Sequence, residues 1–149
     1  MIGVPACWQH QNKEPETAIY VAIDDKVPPT FSLSGPWWAS EFKVLQVLLP
    51  PGDTERGHDF TKDRQVWRIS LVENRGARVK NWPKVSYGIV PNGLKQDFPQ
   101  TGRPEQLMEG KLYIAMAVDI IGNGGSCYFV IRNGKPSSVP ITEVFSGGQ

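Results

Sequence analysis

The chain is poor in the two residue types that most often announce chemistry, with two cysteines and two histidines among 149 residues. Cys7 and Cys127 can form one bridge at most, which excludes the multiple-disulfide framework of very small secreted domains. They can pair only if their Cα atoms approach within about 7 Å; the simpler reading is a core thiol at Cys127 and a loose terminus around Cys7. His10 and His58 stand far apart, in neither a His-Glu-x-x-His nor a Cys-x-x-Cys setting. Zinc-ligand spacing is therefore missing, and no metal or cofactor is expected. An excess of charge is missing too: 16 Lys and Arg against 15 Asp and Glu leave +1, too little for a broad field that draws nucleic acid or an anionic membrane. Nor is there an apolar run of the roughly 20 residues that span a bilayer. The longest apolar-rich piece, residues 112–121, is short and contains Asp119. The opening "MIGVPACWQH" lacks the basic head and apolar stretch of an export signal, so the compartment stays open, and an extracytoplasmic one is expected only if such a signal was removed.

What the sequence has in plenty is turns and alternation. Its 15 glycines and 13 prolines break the chain into short segments, most of which alternate with the period of two that marks a strand. Residues 17–24 put Ile19, Val21 and Ile23 on one face. Residues 24–38, with three prolines, read as a long loop. Residues 41–49 form a strand that is apolar on both faces after Val44, as expected of one covered on both sides. In residues 64–73, Trp67, Ile69 and Leu71 should face the core. Val85, Tyr87 and Ile89 share a face before a turn at Pro91, Asn92 and Gly93; the following residues read as a crossover loop anchored by Leu94 and Phe98. Residues 104–108 suit a single helical turn, with Pro104 at its start and Gly110 at its exit. The longest alternating segment places Leu112, Ile114, Met116, Val118 and Ile120 inward and Tyr113, Ala115, Ala117 and Asp119 outward. It returns through the Gly-Asn-Gly-Gly turn to residues 126–132 as a hairpin. Asn133 and Gly134 turn the chain again, and residues 139–145 read as a short edge strand.

Scarcely any segment suits a helix, so the expected class is all-β: a single antiparallel β-sandwich domain over residues 1–149, with 1–15 loosely ordered and 146–149 a frayed tail. An immunoglobulin-like architecture suits the strand number and long loops, and a jelly roll or open barrel is the alternative.

Catalytic patterns are scarce. No serine lies in a Gly-x-Ser-x-Gly elbow. Gly122 to Gly125 is followed by neither the lysine nor the helix of a phosphate-binding loop. Asp53, Glu55, His58, Asp59 and Asp63 crowd one loop but miss the calcium-loop spacing and read as a solvated acidic loop. Carboxylate pairs such as Asp24 with Asp25, or Glu41 with Asp119, serve a glycoside hydrolase only if folding brings them to one cleft. Aromatics are the clearer surplus. Trp37 and Trp38 are adjacent, so on an extended chain their rings point to opposite sides and one is left exposed; Trp82 either caps the core or joins them. These three are the candidate binding residues, since exposed tryptophans stack on sugars or anchor protein partners. Arg75, Arg78 and Lys80 near Trp82 form a nucleic-acid-like pattern that the balanced charge disfavours. The sequence therefore favours a non-enzymatic β-sandwich module for protein–protein interaction or a structural role in a larger assembly, with self-association through a strand edge as one route. The alternatives are a carbohydrate-binding module using the loop tryptophans and a hydrolase with loop carboxylates.

Overall fold

The computed structural model describes residues 15–50, 53–73 and 76–146. Cys7, His10 and most of the two terminal segments expected to be loose lie outside them. Eleven strands among the described residues follow in chain order: β1 (Tyr20–Asp24), β2 (Thr30–Ser34), β3 (Trp38–Ala39), β4 (Glu41–Gln46), β5 (Arg64–Leu71), β6 (Ala77–Arg78), β7 (Val85–Ser86), β8 (Leu94–Phe98), β9 (Leu112–Val118), β10 (Gly124–Arg132) and β11 (Lys135–Val139). A short helix, α1 (Ile141–Ser146), follows β11. All strand pairs are antiparallel. They make a six-stranded sheet in the order β11-β10-β9-β4-β5-β8, a three-stranded sheet β1-β2-β7 and a ribbon β3-β6. The large sheet does not close into a barrel, since β11 and β8 are its opposite edges. The fold is thus all-β with several antiparallel sheets.

As its two-faced apolar pattern requires, β4 lies inside the large sheet between β9 and β5. Phe42 and Val44 enter the main core on one face; Leu45 and the following Val47 enter a second cluster on the other. The main core joins the two larger sheets. Phe31 of β2 packs its ring 5.1 Å from that of Phe42 and 5.6 Å from that of Phe129, pairs each worth about 0.5–1.5 kcal/mol beyond the area they bury. On β9 the expected facing is reversed. Tyr113, Ala115 and Ala117 face this core, Ile114 belongs to the second cluster, and Ile120 is exposed. The reason is steric: Ala117 lies opposite Phe42, and Ala115 lies between Val44 and Cys127, so small side chains on the middle strand make room for the rings beside them. The bulkier Leu112, Ile114 and Met116 meet Val144, Ile141 and Phe145 of α1 on the outer face.

Other expectations are corrected. Residues 24–38 contain β2, because Pro28, Pro29 and the Gly35–Pro36 pair bound a strand instead of interrupting one. Residues 94–98 are the edge strand β8 and no crossover loop; Leu94 is buried, Phe98 is exposed, and Gln96 accepts a hydrogen bond from Trp67 Nε1 at 2.9 Å. Residues 103–108 form no regular secondary structure, so the helical turn expected over 104–108 is absent. Residues 139–145 hold the end of β11 and then α1, whose first turn closes on the carbonyl of Pro140. Cys127 is buried and disulfide-bonded, not a free thiol. Among the described residues no helix is long and apolar enough to cross a membrane.

The hairpin turn uses its glycines in two ways. Gly122 has φ of 99°, as a tight turn demands, whereas Gly125 lies in β10 opposite Ala117, where a Cβ would stand 1.8 Å from the carbonyl oxygen of Ile19. Gly35 approaches the same backbone from elsewhere, its Cβ position 2.5 Å from the carbonyl oxygen of Ala18. The entry to β1 is therefore seated against two glycines. Gly125→Ala is expected to destabilise the fold by about 3 kcal/mol, the upper range for overpacking. Gly122→Ala, with nothing within 4 Å of its Cβ position, should lose only about 1–2 kcal/mol through its left-handed backbone. Urea unfolding of the two variants measures both.

Candidate functional site

Three separate loops converge on a groove of about 690 Å³. Val27, Pro28 and Pro29 lead into β2; Tyr87 to Val90 leave β7; residues 103–107, Ile131 and Gly134 complete the lining. The second loop turns at Gly88, with φ of 84° and Ile89 N–H donating to Ser86 O at 3.0 Å. The walls are tied together. Tyr87 N–H donates to the carbonyl of Pro29 at 2.9 Å, and the Tyr87 hydroxyl donates to the carbonyl of Glu105 at 2.8 Å. Arg64 holds the Glu105 carboxylate with both terminal nitrogens. Burial, reinforced by the Glu105 charge, pushes the Tyr87 phenol well above its ordinary pKa, so it stays protonated and serves as a strut. The groove surface is aliphatic: Val27 is 68% exposed, Ile89 58% and Val90 38%. Scattered exposed aliphatics are ordinary; these three converge on one groove. Arg103 lines the same groove and has no ion pair or hydrogen bond among the described residues.

The candidate tryptophans separate. Trp38 is 42% exposed and carries the guanidinium of Arg78, its cross-strand partner, 5.1 Å from the ring centre. Trp37 is half-buried and donates to Asp119 at 2.7 Å. Trp82 is buried, donates to the carbonyl of Ala39 at 3.2 Å and caps the core. Of the cations expected near Trp82, Arg75 lies outside the described residues.

A second, polar cavity of about 440 Å³ brings Glu41, Glu73, Asp97 and Asp119 together with Arg68. Glu41 and Asp119, one of the carboxylate pairs singled out in the sequence, therefore share a cleft. Asp119 is already saturated: it accepts from Trp37, the Asn123 side chain and the backbone N–H groups of Ile121 and Asn123. Burial works against its ionisation, but these donors outweigh it and hold the carboxyl below its ordinary range. Such a group organises a turn and has no proton to give near neutral pH.

The acidic loop, read as solvated, folds inward instead. His58 Nδ1 lies 2.5 Å from Asp53 and Nε2 lies 2.8 Å from Asp63, with the imidazole and the Asp63 carboxylate almost wholly buried. Asp63 also accepts from the Leu48 N–H at 2.9 Å, and the rings of Phe60 and Phe145 stand against the imidazole. The knot thereby fastens loop, sheet and α1. No group of three or more His, Cys, Asp or Glu among the described residues is arranged to hold a metal ion. The groove residues and the His58 knot both escaped the sequence reading. A Pro-Pro pair beside Val27, and Ile89–Val90 just before Pro91, were the available signals for the groove.

Burial alone would lower the His58 pKa, but the hydrogen bonds and charges of Asp63 and Asp53 outweigh it and raise it above the ordinary value. The sign follows: protonated His58 donates to both carboxylates, so its stabilisation is complete below about pH 6.5, the unfolded value. It is lost as pH rises through the raised folded value, where one ring nitrogen would face a carboxylate without a proton between them. His58→Ala is expected to destabilise by about 3 kcal/mol, as for a buried pair that loses one partner, and to remove the fall in stability above the ordinary histidine pKa that urea titration should show in the parent chain. In comparisons with protein-family models, curated proteins and solved structures, nothing matches this chain.

Proposed function

We propose that the chain is a non-catalytic β module that binds a protein partner through the groove walled by Val27, Ile89 and Val90. The observation that carries this reading is the convergence of exposed aliphatic side chains from two loops on a groove whose walls are already tied by hydrogen bonds. A prearranged apolar surface loses little conformational freedom on binding, which is how a modest area yields useful affinity. In this proposal the three-stranded sheet and the large sheet are the two layers of a sandwich. The division into six and three strands departs from the four and three of an immunoglobulin domain, so only the layered character is kept. The polar cavity supports a hydrolase less well, because Asp119 is committed to the donors around it.

A second reading rests on Trp38, whose exposed ring keeps one face away from Arg78. That face suits stacking on a sugar ring. Titration with a panel of soluble glycans, read by tryptophan fluorescence, tests it: a response abolished in Trp38→Ala supports carbohydrate binding, and silence across the panel removes it.

The leading reading is tested by selecting random displayed peptides on the immobilised chain. Enriched peptides should bind Ile89→Asp at least about tenfold more weakly, a loss of about 1.4 kcal/mol. The unfolding midpoint should not move, since Ile89 is exposed. Enrichment indifferent to Ile89→Asp overturns the reading.

A further inference from the structure

Resting on that reading, we infer that the segment taken by the groove is an extended apolar stretch of a partner protein carrying an Asp or Glu side chain, and that Arg103 reads this carboxylate. Arg103 and Glu105 are the charged residues lining the groove. The Glu105 carboxylate is already answered by the two-pronged grip of Arg64, and its carbonyl by Tyr87. Arg103 has no such answer among the described residues, so the uncompensated charge in the groove is positive. An apolar segment without an acid would desolvate that guanidinium and leave it unpaired, at a net loss. A lysine or arginine would be repelled. A carboxylate can accept two parallel hydrogen bonds from the guanidinium fork.

The walls decide what carries the carboxylate. Val27 and Ile89 stand more than half in solvent, so a free aliphatic acid would lie uncovered along much of its length, whereas small-molecule sites bury most of their ligand. A protein segment arrives with its own body to cover the outer side. The walls also limit how the segment is held. Pro28, Pro29 and Pro104 line the groove and have no N–H to offer, so pairing as an added strand is weakly supported there. Aliphatic anchors supply affinity, and Arg103 sets the register.

The test repeats the displayed-peptide selection in parallel on the parent chain and on Arg103→Glu. Parent-selected peptides are expected to combine apolar residues with Asp or Glu, and Arg103→Glu should enrich Lys or Arg at the same place. A parent-selected peptide should bind Arg103→Glu at least about tenfold more weakly and lose affinity as salt rises. Peptides that depend on Ile89 but show no acidic preference overturn this inference and leave the groove reading standing. Peptides that ignore Ile89 overturn both. Calorimetric binding of decanoate that displaces the peptides would overturn the protein-segment assignment in favour of a small aliphatic acid. Concentration-dependent dimerisation lost in Val27→Asp, seen by sedimentation, would overturn it in favour of a second copy of the chain.

Discussion

Phe31 holds the architecture together. Its fully buried ring packs against Phe42 and Phe129 of the opposite sheet and thereby fixes where β2 lies. With β2 placed, the carbonyl of Pro29 is placed, and Tyr87 N–H finds it. Tyr87 then sets its ring 5.4 Å from that of Trp67 and directs its hydroxyl to Glu105. A groove on the surface is in this way an extension of one buried aromatic contact: each step outward exchanges apolar packing for a directed hydrogen bond, and the last step reaches solvent with little freedom left.

The opposite face of the large sheet solves a different problem. Leu45, Ile114 and Tyr128 need a cover, and six residues of helix are too few to be stable without tertiary packing. The cover is completed by side chains of mixed character. Phe145 packs with the helix onto Tyr128 and also against His58, so the charged knot of the 53–63 loop and the apolar patch beneath α1 support each other. Neither feature is self-sufficient. The Asp63 carboxylate, turned to both His58 and the Leu48 N–H, links them to the end of β4.

How much of this was readable beforehand depended on whether local pattern or distant packing decided the matter. The burial of β4 on two faces was legible because Phe42, Val44, Leu45 and Val47 leave neither side polar. The same logic misled on β9, where size outweighed hydrophobicity: Ala115 and Ala117 belong inside because large rings flank them, a fact held by other strands. The turns at Gly93 and Gly134 were legible from residue chemistry alone, whereas Gly125 looked like another turn glycine and proved to be a close approach to a distant backbone. At the candidate site, one member of the Trp37–Trp38 pair is exposed as expected of an extended chain, although Trp37 lies in the bend before β3. The groove was not legible, since its walls lie far apart in the chain and only the fold brings them together. His58 looked solvated for the same reason, because its two partners are local but the sheet and helix that bury it are not.

The prolines of the groove have a consequence for how the protein behaves at high concentration. An aliphatic surface beside a free strand edge is an invitation to β-aggregation, because apolar attraction and backbone pairing then act on the same neighbour. Where Pro28, Pro29 and Pro104 form the wall, those two properties are separated: the surface is apolar but offers few amide groups from which a cross-β stack could grow. The chain can keep Val27 and Ile89 in water without making that surface a template for fibrils.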